Sequence, residues 1–178
     1  MEEKKLIEEL KKGKEEAYHI LICMYGDKLL KTCYLMVNNE KDAEDIVQET
    51  FIRVFKYIRG FKGDSSLYTW IYRIANNVTK DILRTSIPTI PYEDYYEISD
   101  DLEDSILIDI DKEILRIGLY ELNFIYRQVL ILFYFEDLSI KEICQVLGEK
   151  EGTIKSRLSR GRVELRNILV KGRDLDER

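Results

Sequence analysis

Both prolines of this 178-residue chain, Pro88 and Pro91, fall inside one stretch, IPTIPYEDYYEISDDLEDS. A proline ring fixes its backbone dihedral and removes an amide donor, so two this close stop any helix that meets them. The sequence is thereby cut into two bodies. On both sides of the cut, apolar residues recur at spacings of three and four. Ala43, Ile46, Val47, Phe51, Val54 and Ile58 form one stripe, on a helix expected over 40–59. Leu67, Trp70, Ile71, Ile74, Ala75, Val78 and Ile82 form another over 66–84, with Ser65 or Ser66 available as its cap. The segment between them, GFKGDS, has two glycines that permit a sharp reversal. A further helix is expected over 15–37. Beyond the prolines, Ile125, Val129, Leu132 and Phe133 mark one helix, and Ile140, Ile143, Cys144 and Leu147 a second. Ile154, Leu158, Leu165, Ile168 and Leu169 mark a third. Nowhere is there the strict alternation that a half-buried strand requires. The expected fold is therefore all-α: two small helical domains, over 1–85 and 111–178, joined by an acidic flexible linker over 86–110.

Composition narrows the classes of function. With 45% hydrophobic and 35% charged residues, the chain can bury a core and is no disordered polymer. No stretch approaches the roughly 18 uninterrupted apolar residues of a membrane span, and the opening MEEKKLIEEL is charged rather than an apolar signal core. The expectation is a cytoplasmic protein with no stable membrane insertion. Cys23, Cys33 and Cys144 form no C-x-x-C pair and leave an odd one over, which argues against a disulfide framework and a structural zinc site. His19 is the one histidine, so a histidine-rich metal site is excluded. No metal and no cofactor are expected.

A net charge of −6 would by itself argue against a nucleic-acid partner, but its distribution reverses that conclusion. From Thr153 to Arg173 stand seven basic residues against one acid, Glu164; from Arg53 to Arg84, seven against Asp64 and Asp81. Between these blocks, Tyr92 to Glu113 carries ten acids and one base, Lys112. Two basic segments therefore flank an acidic one.

The second basic segment overlaps LSIKEICQVLGEKEGTIKSRLSRGRVEL, from Leu138 to Leu165. Ser139 with Glu142 three residues on has the form of a capping box, opening a short helix that ends at Gly148. A longer helix starts near Glu151 after a tight turn. Two helices joined by so short a glycine-containing turn form a helix-turn-helix, whose second helix enters the major groove. Ile154, Leu158 and Leu165 would hold that helix on its domain, leaving Thr153, Lys155, Ser156, Ser159, Arg160 and Arg162 to meet phosphates and base edges. A solvated cationic helix face is the plainer alternative.

The segment GTIKSRLSRGRVELR resembles the promoter-recognition helix of bacterial sigma factors, above all the extracytoplasmic function (ECF) group of the sigma-70 family. In the first half, DAEDIVQETFIRVFKYI resembles that family's polymerase-binding helix and FKGDSSLYTWIYRIANNVTKDILR its promoter-melting segment. The similarity spans about 15–84 and 111–171, in the family's order.

The resemblance implies a protein without an active site that binds core RNA polymerase, directs it to promoters and captures one strand as the duplex opens. It places Phe61, Lys62, Gly63, Asp64 and Ser65 in the loop that receives a flipped minus-ten base, with Ile74 and Asn77 lining the pocket behind; Lys62, Arg73, Lys80 and Arg84 have the charge to hold phosphates there. Trp70 is expected in the core, while Tyr68 and Tyr72 are balanced between core and base contact. For the minus-thirty-five element, Lys155, Ser156, Ser159 and Arg160 occupy the reading positions, Thr153 lies beside them, and Arg157 and Arg162 suit phosphates. Asp45, Gln48 and Glu49 would meet the polymerase clamp helices. An anti-sigma factor is an expected partner, and the acidic linker would thread toward the RNA exit channel.

Three departures stand out. Leu122, Asn123 and Phe124 replace a leucine-proline pair, Glu149 and Glu151 bring acids to the DNA end of the recognition helix, and Gly161 takes a position often filled by alanine. Two other functions remain open on sequence grounds. One is a free-standing helix-turn-helix regulator, although no heptad seam for a dimer is visible. The other is an enzyme with a Cys23 nucleophile beside His19, for which no orienting partner is evident.

Overall fold

A computed structural model describes residues 2–83 and 112–176, with side chains to 171. The expected acidic linker and Arg84 lie outside the described residues. Among those residues the secondary structure is entirely helical. They fall into two compact units, one made of the described residues up to 83 with Gln145–Gly148, the other of the remaining described residues from 112 onward.

The first unit holds α1 (Glu3–Lys11), α2 (Glu15–Val37), α3 (Glu40–Tyr57) and α4 (Leu67–Leu83), with a 3₁₀ turn at Ile58–Gly60. The helices expected over 15–37, 40–59 and 66–84 are present, and α1 is an addition. Its composition is mostly charged, yet Leu6 and Leu10, four residues apart, are fully buried. Tyr18 Oη on α2 donates to the Leu10 carbonyl at 3.0 Å. Asn38 ends α2 in the left-handed region at φ 53°, and Asn39 caps α3 by accepting from the Asp42 amide at 3.0 Å. Of the two candidate caps of α4, Ser66 does the work: its Oγ accepts from the Thr69 amide at 3.1 Å.

The stripes close the core at most of their positions, but Val47, Phe51, Trp70 and Ile74 are only half-buried and Ile82 is exposed, so Trp70, expected in the core, lies at its edge. Ala43, Ile46, Val54 and Ile58 meet Leu67, Ile71, Ala75 and Val78, all buried. Hydroxyl-bearing residues share this interior because each satisfies its hydroxyl locally or across helices. Thr50 donates to the Ile46 carbonyl at 2.6 Å and Thr79 to the Ala75 carbonyl at 2.9 Å. Tyr72 Oη pairs with Thr32 Oγ1 at 3.2 Å, which assigns this tyrosine to the core.

The second unit contains α5 (Lys112–Glu121), α6 (Phe124–Leu130) continued by a π-helical turn at Ile131–Phe135, the first residues of α7 (Ile140–Leu147), up to Cys144, and α8 (Glu151–Asp176). In place of a proline, Asn123 opens α6, its Oδ1 accepting from the Ile125 amide at 3.2 Å. Arg127 is buried and turned back onto the preceding turn, donating to the carbonyls of Tyr120 at 2.9 Å and Leu122 at 3.0 Å. The joint between α5 and α6 is therefore held by a guanidinium as well as by a cap.

Gly161 has a role its helix propensity does not reveal. A Cβ there would sit 3.2 Å from Tyr126 Cβ and 3.3 Å from Leu130 Cδ1, so the missing side chain lets α8 lie close against α6. Gly161→Val is expected to cost about 1–3 kcal/mol through overpacking, although it removes a helix-weakening glycine. Urea denaturation monitored by circular dichroism measures this directly.

Candidate nucleic-acid and polymerase interfaces

The helix-turn-helix is built by local hydrogen bonds. Ser139 and Glu142 form the reciprocal box: the Ser139 amide donates to Glu142 Oε2 at 2.9 Å, and the Glu142 amide donates to Ser139 Oγ at 3.3 Å. α7 stops at Gly148, whose φ of +71° is in the region that favours glycine, and α8 begins at Glu151. Ile154, Leu158, Gly161, Leu165 and Leu169 are buried at spacings of three and four, and this seats α8 on its unit. Lys155 is exposed, while Thr153, Ser156, Arg157, Ser159, Arg160 and Arg162 are half-buried on the remaining faces.

Expected DNA-contacting cations have partners within the chain, Lys155, Arg157 and Arg162 among them. Lys155 Nζ lies 2.9 Å from Glu151 Oε1, and Arg157 donates to Glu149 Oε1 at 3.0 Å. The lysine ammonium lowers the Glu151 carboxyl below its ordinary pKa. Arg162 Nε donates to Tyr134 Oη at 2.7 Å, and its guanidinium lies 5.7 Å from the Phe133 ring. The π-helical turn thus gives Arg162 a bracing position between α6 and α8. No hydropathy pattern would have shown this, because the irregular turn alters which way Phe133 and Tyr134 face.

In the first unit, the loop before α4 carries the expected minus-ten residues. Lys62, Gly63 and Asp64 are exposed, and Ser65 is half-buried. Gly63 takes φ +80°, which turns the chain sharply. Phe61 is buried, its ring centroid 5.1 Å from that of half-buried Trp70, so it anchors the loop on α4. On the same side of α4, Ile74 is half-buried and Asn77 and Lys80 are exposed. The loop and the Trp70, Ile74 and Asn77 row are thereby brought together. Tyr68 is half-buried against Tyr72, with centroids 4.6 Å apart, and carries Lys28 4.8 Å above its ring.

α3 turns its second face outward. Asp45 and Gln48 are exposed, and half-buried Glu49 accepts from Arg53 Nε at 2.8 Å. Arg53 also reaches Asp81 on α4 at 3.3 Å, so one guanidinium ties Glu49 to the neighbouring helix. Gln48 borders a groove of about 630 Å³ lined by Tyr18, Ile22, Phe51, Ile52 and Phe55. Ile22, Ile52 and Phe55 are 49%, 40% and 61% exposed, an apolar surface the sequence reading passed over. The signal was present: Gln48, Ile52 and Phe55 share a helix face separate from the core stripe. His19 and Cys23 also lie on α2, both exposed, with Sγ 3.6 Å from Nδ1.

Comparison with known proteins places these surfaces in one family. Residues 21–86 match Sigma-70 region 2, and residues 119–165 match Sigma-70, region 4. The ECF RNA polymerase sigma factor SigW of Bacillus subtilis (strain 168) is 36% identical over 180 residues, covering 93% of this chain and 96% of that protein. Among solved structures, CnrH in complex with the cytosolic domain of CnrY shares the fold with a TM-score of 0.72 at 23% identity, covering 95% of this chain and 97% of that one. The sigma factor RpoE in complex with the anti-sigma factor NepR from Bartonella quintana has a TM-score of 0.63 at 21% identity, covering 85% and 96%. The chain belongs to the extracytoplasmic function sigma factors of the sigma-70 family, alternative initiation factors that direct RNA polymerase to promoters.

Proposed function

We propose that the chain divides this work among three segments: 1–85 for polymerase binding and minus-ten capture, 86–110 as a tether, and 111–178 for minus-thirty-five recognition. The observation that carries this division is the seating of α8, whose apolar face is buried while Lys155, Ser156, Ser159 and Arg160 occupy its other faces. That arrangement suits a helix reading a groove, with serine and arginine donors for base edges and phosphates. In the first unit, the Phe61 anchor supports a loop in which Asp64 could receive the edge of an unstacked base, backed by Ile74 and Asn77. Capture of one strand favours the open duplex by mass action, so no hydrolysis and no catalytic group are needed. The protein would accordingly be no enzyme and would act in the cytoplasm, where polymerase and promoter meet. Among the described residues, no helix is long and apolar enough to cross a membrane.

The polymerase would dock on α3, with Asp45, Gln48 and Glu49 as a polar rim and Ile52 and Phe55 as the apolar centre. Interfaces of this kind draw most of their affinity from a few desolvated apolar anchors. An anti-sigma factor is a further partner under this reading. It is supported by the solved complexes of similar proteins, CnrH with the cytosolic domain of CnrY and RpoE with NepR. Copurification from native cells with no second protein under any growth condition would count against it.

Run-off transcription with bacterial core polymerase, on genomic fragments upstream of the chain's own gene, tests the whole scheme. Protein-dependent transcripts with little binding by the protein alone support it; tight binding without polymerase and no new transcripts would overturn it. Within this assay Asn77→Ala is expected to lower transcription from duplex templates at least tenfold and to have much less effect on a template already opened over the minus-ten region. Phe55→Ser should weaken core binding about tenfold or more, as read by fluorescence titration, while lowering the thermal midpoint only slightly, because the ring is 61% exposed and its contact with Tyr18, centroids 4.9 Å apart, lies at the surface.

A further inference from the structure

The acids beside the recognition helix are paired with two of its cations. Glu149, in the turn before α8, accepts from Arg157 at 3.0 Å, and Glu151, in the first turn of α8, lies 2.9 Å from Lys155. Both pairs lie on α8 or the turn leading into it. Arg157 and Glu149 are the more enclosed pair, with side chains 18% and 32% exposed; Lys155 and Glu151 are open, at 59% and 53%. We propose that Glu149 and Glu151 are an electrostatic restraint on α8, each occupying a cation that a phosphate must take over when the helix binds DNA. This inference rests on α8 being the DNA-facing helix.

The physical effect is on counterions. A free cation that meets a phosphate releases the ions condensed there, which gives affinity and a salt dependence of about 0.9 in slope per contact. A cation already paired with a carboxylate gains less, because the abandoned carboxylate takes up a counterion of its own and stands close to the DNA. Paired cations therefore contribute little to indiscriminate attraction. Binding must then be supported by base contacts and by polymerase, which fits a factor that acts only within a complex. A purely local role is the competing account, since an acid in the first turn also stabilises a helix through its dipole.

Glutamine keeps the size and hydrogen-bonding capacity of glutamate and removes the charge. The full-length double variant Glu149→Gln/Glu151→Gln would be compared with the wild type by fluorescence anisotropy on a mixed-sequence 30-base-pair duplex, from 50 to 300 mM potassium chloride. The expected result is at least threefold tighter binding at 50 mM, a salt slope steeper by up to about 1.8, and convergence at high salt. Adding Lys155→Ala and Arg157→Ala should abolish the gain, as coupled pairs require. Equal affinity and slope in the glutamine variant, or a lowered thermal midpoint with no change in binding, would overturn the restraint. A gain that persists after the two alanine substitutions would also overturn it, since repulsion without pairing would then suffice. The same alanine substitutions in the wild-type background report on α8 separately. If they weaken promoter binding by the holoenzyme, α8 faces DNA whatever the glutamates do; if they have no effect, the assignment of α8 itself fails.

Discussion

The 3.6-residue turn of the α-helix is the constraint on which the rest of this structure depends. A helix has limited circumference, and each long helix here commits one side to its own core. On α3 that side is Ala43, Ile46, Thr50, Val54 and Ile58 follows in the 3₁₀ turn; on α8 it is Ile154, Leu158, Gly161, Leu165 and Leu169. What remains is one other face, and function is written there. The division is close to a zero-sum one, since Thr50 and Gly161 take core positions that larger apolar residues would ordinarily fill. Polar side chains enter the interior only where a partner is supplied, by the helix itself as the Ile46 carbonyl does for Thr50 at 2.6 Å, or by a neighbouring helix as Thr32 does for Tyr72 at 3.2 Å.

The same geometry explains how much of the fold could be read in advance. Helices with a sustained stripe, α3, α4, α7 and α8, follow from periodicity, and the caps at Ser66 and Ser139 follow from side-chain chemistry. α1 escaped because two leucines amid charges make too short a pattern, although both are fully buried. Tyr72 was undecided because its hydroxyl finds a partner, Thr32, forty positions away in the chain. The π-helical turn was invisible because periodicity assumes a single helical repeat. The causes differ: for α1 the pattern is too short, for the π-helical turn the repeat changes, and for Tyr72 the deciding interaction joins residues that no local window contains.

The candidate surfaces were legible to a different degree. The exposed positions of the minus-ten loop and the faces of α8 follow from the stripes, since whatever is not core must lie elsewhere. The partnerships of those side chains do not follow. Phe61 turns inward onto Trp70, Arg162 turns onto Tyr134, and Glu49 is held by Arg53. Each is a choice among rotamers settled by neighbours from other turns. The apolar groove beside Gln48 shows the opposite case: its residues were plain in the sequence, but exposed apolar side chains become informative only once the core is known to do without them.

The amide cap at Asn123 bears on how the second unit reaches its native state. An asparagine opens α6 where a proline would also have served, and both prolines of the chain stand at 88 and 91, outside 2–83 and 112–176. Neither helical unit therefore has an X–Pro bond whose cis and trans forms must interconvert over tens of seconds before packing is complete. Helical units dominated by contacts between chain neighbours are rapid folders, in microseconds to milliseconds. Packing among the described residues can thus be completed without waiting on a proline, and only the segment that carries Pro88 and Pro91 keeps that slow choice.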